Sequence, residues 1–376
     1  MVRPLTRFGF ACSQVSVFFA TWSLIGAIAI GAQPVRADSF AYIPLGGENA
    51  AIIVDTARDS VTGRIGGLPA AHGLAMTPGG EFLVAGSYAI REPDAAAPAK
   101  PAGVSDDEHA AHHAPTANKA PMAQAPAKEA KKGGVSTVSV VRIGDKQIVR
   151  RIDVPGAVHH VAVSPDGRFA VVTHPDEDSI SAIDLRSYRV VATVNTGSVP
   201  NYAAFARDGG TLYVSNAGAA TVSVVDVGRW TVKGHIAVGD APEHVVLAPD
   251  GDTLYVNNVN DGTVSVVSLG QGKPVRTIPV GSVPHGLDVS EDGKTLFVTA
   301  MGDDKVVAVT VATGNQRGIT LAPAPYHLAV IRGTGKLYVS SADKPKAWVI
   351  DQRDLRVLGE IAIGGKGHQL AQRPQG

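Results

Sequence analysis

The chain has 12 histidines, and six of them fall in series. His72, His160, His244, His285, His327 and His368, together with Tyr202, are separated in order by 88, 42, 42, 41, 42 and 41 residues. Imidazole is the commonest metal ligand in proteins, and its neutral form suits copper, zinc, iron or nickel. Three or four such nitrogens brought together are enough for a divalent ion. Residues so far apart in the chain meet only if a repeated structural unit carries each of them to one place. Glu243 stands beside His244, with Asp240 close by, so the series also holds material for general acid-base chemistry. Other chemistries are closed to most of the chain. Cys12 is the single cysteine. Residues 38–376 therefore have no thiolate nucleophile, cysteine-ligated zinc, iron–sulfur cluster, covalent c-type haem or internal disulfide. No G-x-S-x-G, H-E-x-x-H or P-loop occurs. Thirty-four basic residues balance 34 acidic ones, and no basic excess points to nucleic acid.

The unit that carries the series is visible as a repeat. "HHVAVSPDGRFAVVTHPDEDSISAIDL", "NYAAFARDGGTLYVSNAGAATVSVVDV" and "EHVVLAPDGDTLYVNNVNDGTVSVVSL" are three copies. Each holds short runs rich in Val, Ile, Thr and Tyr, with Asp-Gly at the first turn (Asp208-Gly209, Asp250-Gly251), which signals a hairpin. A period near 42 with four β segments per unit predicts an all-β, seven-bladed β-propeller with four strands per blade. The one long interval, 88 residues, places an Ala/Pro/Lys/His-containing insertion at 91–134 in blade one, where disorder is expected. Asp106, Asp107, Glu108, His109, His112 and His113 make that tract a candidate for accessory metal capture. After His368 only one strand's worth of chain remains. Phe40–Leu45, Ala50–Asp55 and Val61–Ile65 match the three missing strands, so the ring is expected to close by pairing the N-terminal strands with the C-terminal one.

"LYVSN" at Leu212–Asn216, "LYVNN" at Leu254–Asn258 and "LFVTA" at Leu296–Ala300 resemble the YVTN-repeat group of seven-bladed propellers. The resemblance covers residues 38–376 apart from the insertion. In blade pattern it extends to YncE-like periplasmic proteins, to the haem d1 propellers of cytochrome cd1 nitrite reductase and to the propeller of nitrous oxide reductase. The last of these implies copper held by propeller histidines, but no cupredoxin domain follows here. Fold alone does not choose a function.

Position within a blade sharpens the expectation. The first residue of each innermost strand should line one mouth of the central channel, so the series becomes a ring of imidazoles there. His160, not His159, is expected to face the channel, because neighbouring residues in a strand point oppositely. Tyr202 marks the ring's open side. His174, Asn216 and Asn258, at the ends of second strands, form a candidate second ring with Tyr202, or else simply serve turn chemistry. The histidines themselves have an alternative use as hydrogen-bond partners of a neighbouring blade's backbone. His235, in an outer strand, is expected at the surface.

The N-terminus reads as an address. Arg3 and Arg7 precede an apolar run, Phe8–Ile30, and Val35 and Ala37 fit signal-peptidase cleavage before Asp38. A retained anchor is the alternative. Residues 1–37 as a signal peptide imply a periplasmic or secreted monomer, off the membrane after cleavage. The function expected is a non-catalytic propeller binding a small ligand, foremost a copper or zinc ion, at a histidine-lined mouth. The alternatives are a YncE-like scaffold for a periplasmic protein or peptide, a lactonase- or lyase-type enzyme, or a haem d1-like tetrapyrrole binder with Arg91 near the mouth.

Overall fold

The computed structural model describes residues 40–93 and 133–373. The segment read as a signal peptide, most of the 91–134 insertion, and His109, His112 and His113 lie outside the described residues. What is described is all β: seven antiparallel sheets of four strands each. Six sheets are made of four strands consecutive in the chain, as in Pro242–Leu247, Thr253–Asn258, Thr263–Ser268 and Lys273–Pro279 of blade four. The seventh pairs Ala371–Gln372 with Phe40–Leu45, which continues to Ala50–Asp55 and Ser60–Gly66. The two ends of the described chain thus complete one blade, as the partial repeats predicted.

Only 5% of the residues are aromatic, so small branched side chains must fill the space between blades. They do so in seven buried clusters, each shared by two adjacent blades. Val, Ile, Leu and Ala interdigitate from the facing sheets, and the burial of this surface drives the ring together. Burial falls off outward. Second strands such as Thr253–Asn258 are buried almost throughout, whereas outer strands such as Lys273–Pro279 alternate exposed and covered. His235 is exposed in its outer strand, where its Nδ1 meets Ser223 Oγ.

The turns between first and second strands use the predicted Asp-Gly pairs. Gly167, Gly209, Gly251 and Gly293 have φ between 69° and 79°, a left-handed conformation that glycine adopts without a Cβ penalty. Each preceding Asp folds its carboxylate back onto backbone N–H groups, as Asp250 does onto Asp252 and Thr253.

At the 91–134 boundary, Arg91 and Val135 bridge backbone to backbone, and the third strand of blade one runs from Val135 to Arg142.

Candidate metal centre

The turn leading into each innermost strand explains how the site is aimed. A non-glycine residue with positive φ (Ala70, Val199, Ala241, Val283 or Ala324) comes first, and Pro follows it in blades three to six. In three of these turns that residue's N–H is held by a side chain from the preceding blade: Ala70 by Asn49, Val199 by Asp178 and Ala324 by Asp304. The ladder then skips. Pro242 pairs with Asn258 and Val245 with Val256, so two residues, Glu243 and His244, oppose Asn257 alone. This is a β-bulge, a device that re-aims side chains. The same skip lies between Pro200 and Ala203, Pro284 and Leu287, and Pro325 and Leu328, and in blade one His72 alone is the extra residue, between Ala71 and Gly73.

The bulge resolves the histidine series into two positions rather than one column. At the first stand His72, His159, Asn201, Glu243, His285, Tyr326 and His368. At the second stand Gly73, His160, Tyr202, His244, Gly286, His327 and Gln369. Where the histidine takes the first position in blades one and five, glycine fills the second. A Cβ on Gly286 would sit 2.6 Å from Leu328 N and Tyr326 O, and one on Gly73 would sit 2.9 Å from Val161 N. The adjacent blade's backbone leaves no room there. Gly286→Ala is therefore expected to cost about 3 kcal/mol or more, as overpacking against backbone does. Gly359→Ala, where nothing lies within 4 Å of the added Cβ, should be near neutral. Urea melts of the two variants check the contrast, and equal stabilities would refute the crowding.

The broken ladder also lifts the strict alternation of the strand. Both His159 and His160 are buried, contrary to the expectation that only His160 turns inward. His159 meets His72, ring centroids 4.7 Å apart. The His160 Nδ1 accepts the N–H of Ala203 at 3.2 Å, and its Nε2 lies 2.7 Å from the Gln369 amide. With both nitrogens engaged, His160 is a packing element rather than a ligand. Tyr202 does not leave a gap in the ring. It stacks between His160 at 3.3 Å and His244 at 4.2 Å. Burial and the Asp288 carboxylate push its phenol pKa up, so it stays protonated.

The candidate second ring is turn structure. His174 places Nδ1 3.1 Å from Ala157 O and Nε2 2.9 Å from Ser181 Oγ. At the same place in blades three and four, Asn216 and Asn258 donate to Ser223 and Ser265 of their own blades, and to Thr221 and Thr263. These side chains tie second to third strands and do not converge on a ligand.

What does converge is His244, His285 and His327, from blades four, five and six. One ligand atom of each lies within 4.8 Å of the other two, the single group of this kind among the described residues. All three are at most 3% exposed. The His327 Nε2 has no hydrogen-bond partner although it is buried, an arrangement that costs free energy unless a ligand engages it. Burial, reinforced by neighbouring His285, His244, His368 and His72, holds the His327 pKa well below the usual imidazole value. It is therefore neutral and can donate its lone pair. The Glu243 carboxylate lies 3.4 Å from His285 Nε2 and is itself 2% exposed. A carboxylate on one imidazole nitrogen is the usual device for orienting a metal-binding histidine. Around the first bulge position the contacts run on: His285 to Tyr326 at 4.1 Å, His368 to His72 at 4.4 Å. Burial and Glu243 raise the Tyr326 pKa well above its ordinary value.

The Glu243 contact and the bulge were missed in the sequence. Their signal is local: His-Gly in two repeats against x-His in three, offset by one residue, which the alternation of 41 and 42 in the spacing records. Arg91, considered for a tetrapyrrole propionate, is instead paired with Asp153 and the backbone carbonyls of Glu92 and Pro93.

A model of the lactonase family of seven-bladed β-propellers matches residues 186–349, under half of the chain, and the match spans all three clustered histidines. No curated protein matches the chain. Among solved structures, the chain is similar to the Pseudomonas aeruginosa periplasmic gluconolactonase PpgL, at 17% identity and a TM-score of 0.65, covering 89% of this chain and 98% of that one. It is similar to Kuenenia stuttgartiensis hydrazine synthase at 18% identity and a TM-score of 0.64, with 85% and 94% covered. The dihydro-heme d1 dehydrogenase NirN matches at 14% identity and a TM-score of 0.60, with 90% and 76% covered. At such identities the likeness is one of fold.

Proposed function

We propose that the protein is a metal-binding propeller, in which His244, His285 and His327 hold one transition-metal ion at the channel mouth. The observation that carries this reading is the convergence of three buried imidazoles, one of them with an unpartnered Nε2, on a common point. Three imidazoles from three separate blades form a half-cage, which in their neutral state suits copper or zinc. Glu243 would orient His285 from behind and hold its proton on Nε2. Calorimetric titration of the metal-free protein with copper(II) and with zinc(II) tests the reading. Saturable binding is expected, tighter for copper following the general order for nitrogen ligands. Failure of both to bind would leave the propeller as a scaffold.

The pH dependence carries a sign. Metal and proton compete for the same lone pair. An unperturbed imidazole would lose that competition near pH 6.5. The depressed His327 pKa moves its share of the loss to more acid solution, so affinity should fall at lower pH than three unperturbed imidazoles would give. A midpoint at or above 6.5 would contradict the buried, neutral state.

A lactone-hydrolysing activity is the second reading. It rests on the lactonase family match over 186–349 and on the Glu243–His285 pair. An ion held by three histidines can lower the pKa of a bound water and polarise an ester carbonyl. Release of acid from glucono-δ-lactone by metal-loaded protein, lost in Glu243→Gln, is the expected result under this reading. Equal rates with and without protein would remove it.

A further inference from the structure

The three-histidine group leaves half of the mouth unexplained. On its other side His368, His72 and His159 come from blades seven, one and two, all at the first bulge position. Their rings are neighbours: His368 to His72 at 4.4 Å and His72 to His159 at 4.7 Å between centroids. Two of them have their tautomers fixed by the backbone. The His72 Nδ1 lies 2.7 Å from the His159 carbonyl oxygen, and the His159 Nδ1 lies 3.2 Å from the Asn201 carbonyl oxygen. A carbonyl can only accept, so each Nδ1 carries the proton and each Nε2 carries the lone pair. A backbone carbonyl on Nδ1–H with Nε2 as the donor atom is how metal-binding histidines are commonly held. The Asn201 carbonyl is itself held by blade two, where Thr173 Oγ1 donates to it at 2.9 Å.

We propose that His72, His159 and His368 form a second transition-metal site, separate from the group on blades four to six. Blade three parts the two sets on one side, since it carries Asn201 and Tyr202 where the others carry imidazole. On the other side His327 stands between them, its ring 6.4 Å from His72 and 6.0 Å from His368. The ligand atoms of the second set are not drawn within the 4.8 Å that the first set achieves. Small side-chain rotations are needed to close it on an ion, so its affinity is the weaker of the two. Each site stands without the other, although both draw on the same neutral imidazole chemistry.

The test is metal stoichiometry. Metal-free protein is titrated with copper(II) alone and, in parallel, with zinc(II) alone, followed by calorimetry and by metal analysis after gel filtration. The parent should bind two equivalents, the second at least about tenfold more weakly, as expected for ligands that are not preorganised. The variant His72→Asn/His368→Asn should bind one, with the tight affinity unchanged. Asparagine is chosen because Asn201 already occupies this bulge position in blade three, and an unchanged circular dichroism melt reports that the ring is intact. Conversely, His285→Ala/His327→Ala should keep only the weak equivalent. Saturation of the parent at one equivalent, or two equivalents still bound by the asparagine variant, would overturn the second site while leaving the first. Absence of any binding would sink both.

Discussion

Replacing His285 and His327 together with alanine will abolish tight copper and zinc binding while the propeller stays folded. The two side chains belong to adjacent blades and supply two of the three converging ligand atoms. Removing an outer-shell partner of a metal ligand alone typically costs 10–100-fold in affinity. Loss of two direct ligands should therefore exceed about a hundredfold, beyond the range of a calorimetric titration for all but the tightest parent. The fold should survive because the apolar clusters between blades four, five and six, rather than these imidazoles, hold the blades together, although His285 faces Glu243 of blade four. The His327 Nε2 is buried without a partner, so deleting it relieves a desolvation cost that offsets part of the lost packing. Retention of parental affinity in the double variant would show that the histidines pack the channel and bind nothing. A collapsed melt would instead make the pair structural, and Glu243→Gln, with its expected 10–100-fold loss at unchanged stoichiometry, would then decide.

The architecture could be read from the sequence because a propeller is a repeat, and each blade must present the same turn and the same apolar alternation to fit its neighbours. The Asp-Gly hairpins, the four β runs and the split seventh blade all follow from that requirement. The site was legible only as a set of residues. A period near 42 brings histidines to one mouth, but it is blind to a one-residue offset. His285 and His244 look equivalent by spacing, yet they occupy different positions of the bulge. The offset separates Glu243 and His285, which interact, from Tyr202 and His160, which stack. Alternation failed at His159 for the same reason: period two holds only while the ladder is unbroken. The glycines at 73 and 286 were the available clue, since nothing but close backbone contact asks for glycine inside an innermost strand. His174 misled in the opposite direction. Its place at the mouth suggested a ligand, but Asn216 and Asn258 at the same place in their own blades show what the position does, which is to carry hydrogen bonds between strands.

His174 should contribute to acid lability in the metal-free protein, and asparagine should remove that contribution. The side chain is fully buried and its burial lowers the pKa to about 4. In the unfolded chain it titrates near 6.5. Between these values the unfolded state binds the proton and the folded state does not, so stability is complete above pH 6.5 and declines as pH falls toward 4. A shift of that size is worth about 3 kcal/mol in total. His160 and His327, whose pKa values burial also drives well down, add to the slope in the same direction. Asparagine at 174 can donate its amide to Ser181, as Asn216 does to Ser223 and Asn258 to Ser265, with the serine hydroxyl accepting where it donates to His174 Nε2 in the parent. It forgoes the contact with Ala157 O, at a cost of about 1 kcal/mol at neutral pH. Urea melts of parent and His174→Asn across pH 4 to 8 should therefore cross. The parent is the more stable above pH 6.5, and the variant gains steadily below it until it leads by about 2 kcal/mol near pH 4, the difference of those two figures. A stability difference that stays constant over that range would mean that His174 keeps an ordinary pKa in the fold, and the burial argument for neutral imidazoles throughout the channel would fail with it.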